Sequence, residues 1–265
     1  MHFFKFKSSL ILCLLLTTLS PLTWAKSIPV ETILKKVDSY RAPSGSFSFS
    51  VEVKEFDNKS AVRETVYRVF SKGSRFARIE TTAPERLKGR KLLMVDNDLW
   101  LYLPTVNRPT RVSFQQKLTG EVSNGDIART NFSGDYDARI IAPPSPSPKK
   151  SKDKKSQKRT IAASDPSSLH LVLRAKHKDV TYRKVHLWVD AKTFYPKKAK
   201  FFALSGKLLK TSEFSPPEKV FNRPTVTRSV IHDALNTNQR SHLRYFDYKR
   251  EKLNDSFFRK QALVD

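Results

Sequence analysis

Ser46-Phe47-Ser48-Phe49-Ser50-Val51-Glu52-Val53-Lys54 alternates without a break. A strand sends successive side chains to opposite faces, so this spacing puts Phe47, Phe49, Val51 and Val53 on one dry face. Ser48, Ser50, Glu52 and Lys54 share the wet one. The same period of two recurs at 62–71, 75–82, 91–96 and 98–103, with Asn97 in a hairpin turn between the last two. It resumes at roughly 169–177, 180–190, 197–204, 207–214, 224–233 and 241–251, with Ser205-Gly206 as a hairpin signal. Helical spacing is confined to the margins. Val30, Ile33, Leu34, Val37 and Tyr40 recur every three or four residues over 28–40, behind a capping Ser27 and Pro29, and Asp255-Ser256 caps a last short helix. Residues 111–134 lose the strand period and read as short helices and loops. The pattern predicts a mainly β (α+β) fold, in which about eleven short antiparallel strands form a curled sheet closed by short helices.

Composition narrows the class. The 265 residues include 50 Lys or Arg against 25 Asp or Glu, a formal charge of +25. An apolar share of 38% can build a core, which excludes a disordered chain, and 7 Gly with 1 Cys exclude collagen-like and disulfide scaffolds. Residues 1–25 read as a signal peptide. Lys5 and Lys7 precede the apolar run Leu10 to Leu16, and Thr23-Trp24-Ala25 supplies the small residues for cleavage after Ala25. Cys13 lies inside that apolar run and leaves with it, so the mature chain has no thiol chemistry. It retains a charge of +23. The remainder, 26–265, reads as one domain interrupted at 143–166. There a Pro-rich stretch runs into Lys149 to Arg159, with seven positive charges, one negative and no apolar residue, a composition that forms a solvated insert.

Sites for chemistry are missing. The sequence has no nucleophile elbow, zinc-protease motif, phosphate loop or dinucleotide fingerprint. His170, His177, His186, His232 and His242 never fall into metal-ligand spacing, and Asp96-Asn97-Asp98 and Asp135-Tyr136-Asp137 are turn residues. The expectation is a binding protein, not an enzyme, with no cofactor and no metal. Export and the even spread of basic residues argue against nucleic acid and point to an anionic membrane surface. With no heptads, a monomer is expected.

Several motifs go beyond composition. Lys88-Gly89-Arg90-Lys91-Leu92-Leu93-Met94, Leu99-Trp100-Leu101-Tyr102-Leu103-Pro104, Arg108-Pro109 and Asn124-Gly125-Asp126-Ile127-Ala128-Arg129-Thr130-Asn131-Phe132-Ser133-Gly134-Asp135-Tyr136 occur in order. Val180-Thr181-Tyr182-Arg183-Lys184-Val185-His186-Leu187-Trp188-Val189-Asp190 and Ser205-Gly206-Lys207-Leu208-Leu209-Lys210 follow. This series resembles the outer-membrane lipoprotein-sorting family, related to the periplasmic lipoprotein carrier LolA, over most of 27–262. The 143–166 insert is the main departure.

The resemblance implies an incomplete antiparallel barrel closed by helices, with an apolar cavity for lipid acyl chains. It implies a periplasmic carrier of lipid or lipoprotein toward the outer membrane, working with an inner-membrane transporter. An alternating apolar face is ordinarily core; in a half-barrel part of it lines ligand space. The candidate lining is Phe47, Phe49, Val51, Val53, Leu99, Leu101, Leu103, Leu187, Val189, Phe202 and Leu204. A one-residue slip would instead turn Trp100, Tyr102 and Trp188 inward. At ~0.8 kcal/mol per buried methylene, one acyl chain supplies on the order of 10 kcal/mol, so release needs a mobile cover, and 111–134 is the candidate lid. Two alternatives stand beside the carrier: a non-transporting envelope sensor of the same fold, and a basic surface protein binding anionic polymers.

Overall fold

The computed structural model describes residues 28–129, 131–141 and 167–264. The expected signal peptide at 1–25 and basic insert at 143–166 lie outside them. Helix α1 (Val30–Arg41) comes first, with Pro29 as its N-cap. Strands β1 (Ser46–Asp57), β2 (Ser60–Lys72), β3 (Phe76–Ala83), β4 (Lys91–Val95), β5 (Asp98–Tyr102) and β6 (Thr110–Arg111) follow as an antiparallel meander. A crossing segment holds β7 (Lys117–Thr119), β8 (Val122–Ser123), α2 (Asn124–Ala128) and α3 (Phe132–Asp135). Beyond it come β9 (Tyr136–Ile141), β10 (Ser168–Ala175), β11 (Lys184–Asp190), β12 (Pro196–Phe202) and β13 (Leu208–Phe214). The chain continues through β14 (Glu218–Val220), β15 (Arg223–Thr225), β16 (Arg228–Asp233) and β17 (Gln239–Arg250), and ends in two short 3-10 turns, Asp255–Phe258 and Gln261–Leu263.

Thirteen of these strands form one unclosed sheet, β6-β5-β4-β3-β2-β1-β17-β16-β13-β12-β11-β10-β9. The expected antiparallel architecture is therefore present, with more strands than the sequence pattern supplied. Strand β9 is one of the additions: Tyr136, Ala138 and Ile140 alternate with Asp137 and Arg139, and the tyrosine and alanine join the β10–β12 cluster. The expected 224–233 strand is split, because the Val226 N–H leaves the ladder to bond the Tyr40 carbonyl. The expected 180–190 strand begins only at Lys184, since Val180, Thr181 and Tyr182 turn under the crossing segment.

Register carries one face across the whole sheet. Leu101 stands opposite Leu92, Leu92 opposite Ile79, Ile79 opposite Val69, Val53 opposite Leu243 and Ile231 opposite Ser212. Ser212 pairs with Ala199, Ala199 with Leu187 and Leu187 with Leu171. This inner face bears two separate apolar clusters. One is built on β1–β5 from Phe47, Val51, Ile79, Met94 and Leu99, with Phe114, Val122 and Ile127 of the crossing segment on top. The other is built on β10–β12 from Leu171, Leu173, Val185, Leu187 and Phe201, and α1 drives Ile33, Leu34 and Val37 into it. The outer face of β3–β5 is covered as well. There Leu93, Tyr102 and half-buried Trp100 pack against Phe258 and Leu263 of the C-terminal turns.

Candidate functional site

Between the two apolar clusters the inner face turns polar. Glu55 on β1, Ser241 on β17, Asp233 and Ser229 on β16, and Ser212 and Lys210 on β13 share the inner register and form a seam. The crossing segment is fastened there. The Glu121 N–H donates to Ser241 Oγ at 3.0 Å, and Thr119 hydrogen-bonds Glu55. Gly120 sits at φ +47°, where a Cβ would lie 2.6 Å from both Glu55 Cγ and Ser241 Oγ, so a glycine is required at this close approach. Lys210 Nζ, only 5% exposed, donates to the Glu121 carbonyl at 2.8 Å and to Asp126 Oδ2 at 2.5 Å. Tyr182 donates to Asp126 Oδ1 at 2.8 Å, and the Ser123 N–H to Asp126 Oδ2 at 2.7 Å. Burial, with the Asp126 charge beside it, pushes the Tyr182 hydroxyl well up, so it stays a donor. Burial also raises the Glu121 carboxyl, helped by Asp233 and opposed by Lys117.

Sequence reasoning missed these residues as a working group. Yet Asn124-Gly125-Asp126, Thr181-Tyr182 and Lys210 all lie in the motifs quoted above, and the structure assembles them. Asn124 Nδ2 donates to the Ser113 carbonyl at 2.9 Å, folding the crossing segment on itself. A Cβ on Gly125 would come within 1.9 Å of Thr181 Oγ1. A second anchor follows. Arg129 holds Asp135 bidentately at 2.5 and 2.6 Å, both side chains nearly buried, and reaches the Asp96 carbonyl and Asn97 in the β4–β5 turn. Asp135, read as a turn residue, is thus one half of a buried ion pair. Asp38 of α1 caps the α3 N–H groups of Phe132 and Ser133 at 2.8 and 2.9 Å, while burial raises its carboxyl against those two bonds.

Where the crossing segment passes over β2–β5 it leaves a cavity of about 260 Å³. Its floor is Ile79, Leu92, Leu101 and Leu103, its roof Leu118, and Tyr67, Thr81, Leu87, Arg90, Gln116, Lys117 and Asn124 complete the wall. The volume lies just under the range of ordinary small-molecule pockets. Of the eleven candidate lining residues, Leu101 and Leu103 line it. Phe47 and Phe49 border a second hollow of only about 30 Å³ with Met94 and Ile127. Val51, Val53 and Leu99 are filled core under the crossing segment, and Leu187 and Val189 are filled core under α1. The last two candidates need correcting. Phe202 pairs with Lys184 on the outer face, where the Lys184 ammonium lies 4.4 Å from its ring centre, and Phe201 and Ala199 face inward instead. Leu204 stands 81% exposed in the β12–β13 turn. The inner register at this hairpin is offset by one residue from the expected one, which exchanges the faces. Trp188 also points outward and stacks on His170 at 4.4 Å.

Among the described residues no three His, Cys, Asp or Glu side chains cluster as a metal site, and no helix is long and apolar enough to cross a membrane. A family model described only as an uncharacterized protein matches residues 73–265. No curated protein matches the chain. The chain is similar to a solved LolA superfamily protein from Nitrosomonas europaea, with 34% identity and a TM-score of 0.76 over 89% of this chain and 100% of that one. A putative outer membrane lipoprotein-sorting protein domain from Vibrio parahaemolyticus has 17% identity and a TM-score of 0.68, over 89% of this chain and 98% of that one. A DUF1329 family protein from Desulfovibrio piger has 19% identity and a TM-score of 0.69, over 88% and 97%. These last two share the fold. An unclosed antiparallel sheet, strapped across its inner face over an apolar hollow, with a third of its residues identical to the Nitrosomonas europaea protein along that protein's whole length, places this chain in the LolA superfamily.

Proposed function

We propose that the protein is a periplasmic carrier that shelters an acyl chain in the cavity under its crossing segment and delivers lipid or lipoprotein toward the outer membrane. The observation that carries this reading is the cavity itself, an apolar floor left unfilled in a sheet whose other half is packed solid. The crossing segment is the lid. Polar bonds at Gly120, Lys210 and Asp126 and the apolar contacts of Phe114, Val122 and Ile127 hold it against the sheet, so opening breaks both while the β-ladder stays paired. An inner-membrane transporter loads such a carrier. Its docking surface on an anionic leaflet is the outer face of β10–β12, where Lys184, Lys198 and Lys200 surround the half-exposed rings of His170, His186, Trp188 and Phe202.

Native mass spectrometry of the mature protein from its periplasm, with lipid extraction, tests the reading. A stoichiometric acylated adduct is expected; an empty protein that also refuses added lipid would sink it. A disulfide between strap and sheet, Glu55→Cys with Thr119→Cys, should stop exchange of a bound acyl chain, and unchanged exchange would remove the lid. Transfer of the adduct to acceptor vesicles distinguishes a carrier from a sensor that keeps its ligand.

A further inference from the structure

We infer that the cargo entering this cavity is a single-chain amphiphile with an oxyanion head, a carboxylate or a phosphate, and that Arg90 receives the head. The inference rests on the reading of the cavity as an acyl-chain site and names the chemical class of the chain's head.

Three observations converge on it. The cavity has an apolar floor in Ile79, Leu92, Leu101 and Leu103 but cationic side chains at its rim. Of those cations, Lys117 is already neutralised by Glu121 at 3.1 Å. Lys91 turns its ammonium to the outer face, onto the Leu263 carbonyl at 2.9 Å. Arg90 is left over. Exposed one residue before β4, its guanidinium has no hydrogen-bond or ion-pair partner among the described residues. Its charge nonetheless reaches the cavity wall. Burial pushes the Tyr67 hydroxyl up to about 12, and Arg90 is among the groups that oppose the shift. A free guanidinium fork beside a greasy slot matches a carboxylate or phosphate at the end of an alkyl chain. The cavity volume suits one such chain and falls well short of several held side by side.

Titration calorimetry of the mature protein with sodium decanoate, decyl phosphate and decanol, each below its micelle threshold, tests this. Wild-type protein should bind the two anions more tightly than the alcohol, and Arg90→Gln should weaken anion binding about tenfold while leaving decanol unchanged. Whichever anion binds tighter identifies the head as carboxylate or phosphate. Arg90 has no partner to lose, so the variant should fold, and its thermal transition provides the check. Leu118→Trp, which fills the cavity from its roof, should abolish binding of all three. If wild type and Arg90→Gln bind all three alike, the head-group assignment falls and the acyl-chain cavity stands. If none binds to wild type, the cavity reading falls first.

Discussion

The two halves of the inner face begin from the same alternation and end differently. On β10–β12 the apolar face meets a regular twelve-residue helix, and Ile33, Leu34 and Val37 fill the space against Leu171, Leu187 and Phe201. On β2–β5 the roof is a segment of two- and three-residue strands and a single helical turn. Such a segment cannot present a continuous ridge of side chains, so Ile79, Leu92 and Leu101 face a hollow. A strand pattern specifies which side chains face inward. What covers them determines whether they become core or lining.

The seam between the halves is the most sensitive point. Lys210→Met should strip Asp126 of its cation while leaving it buried, and cost about 3–5 kcal/mol in denaturant unfolding. A smaller loss for the double variant with Asp126→Leu would show that the pair orders the strap more than it stabilises the fold. The halves themselves should separate by truncation. Leu187→Ala opens a void in packed core and should cost about 2–5 kcal/mol, whereas Leu101→Ala widens an existing hollow and should cost about 1 kcal/mol. Equal costs would mean that the hollow is filled in solution.

Acid should act on the packed half from outside. Burial holds His170 and His186 below the usual imidazole range, with Lys200 adding to both, and His186 falls to about 4. The unfolded chain therefore binds more protons than the folded one between about 4 and 6.5. Stability is full above that window and declines as pH falls through it, by on the order of 1 kcal/mol for such half-exposed rings. His186→Gln should flatten that decline in a pH series of thermal melts, and an unchanged slope would place the proton uptake elsewhere.

Much of this could be read without coordinates. The alternation in 46–54 determined a dry strand face, and the hydrophobic period of 28–40 determined the helix that lies on such a face, because both depend on local geometry alone. Leu101 and Leu103 were reachable for the same reason. Ile79 and Leu92 were equally inward-facing in their strands, and nothing local marked them as lining while Val51 and Val53 were core.

Tertiary structure decided the rest. Lys210, Asp126 and Tyr182 lie up to 84 residues apart, and no local spacing predicts that one lysine on a strand will reach across a sheet to a helix cap. Phe202 lies on the face opposite to the one its spacing predicts, because the face presented at a hairpin depends on which partner residues the strands select, and an offset of one residue reverses it. Sequence by itself determined the elements and their amphipathic faces, which follow from side-chain periodicity. Only the tertiary structure decided which face closes over solid core and which over space, because that depends on the shape of a covering segment encoded far along the chain.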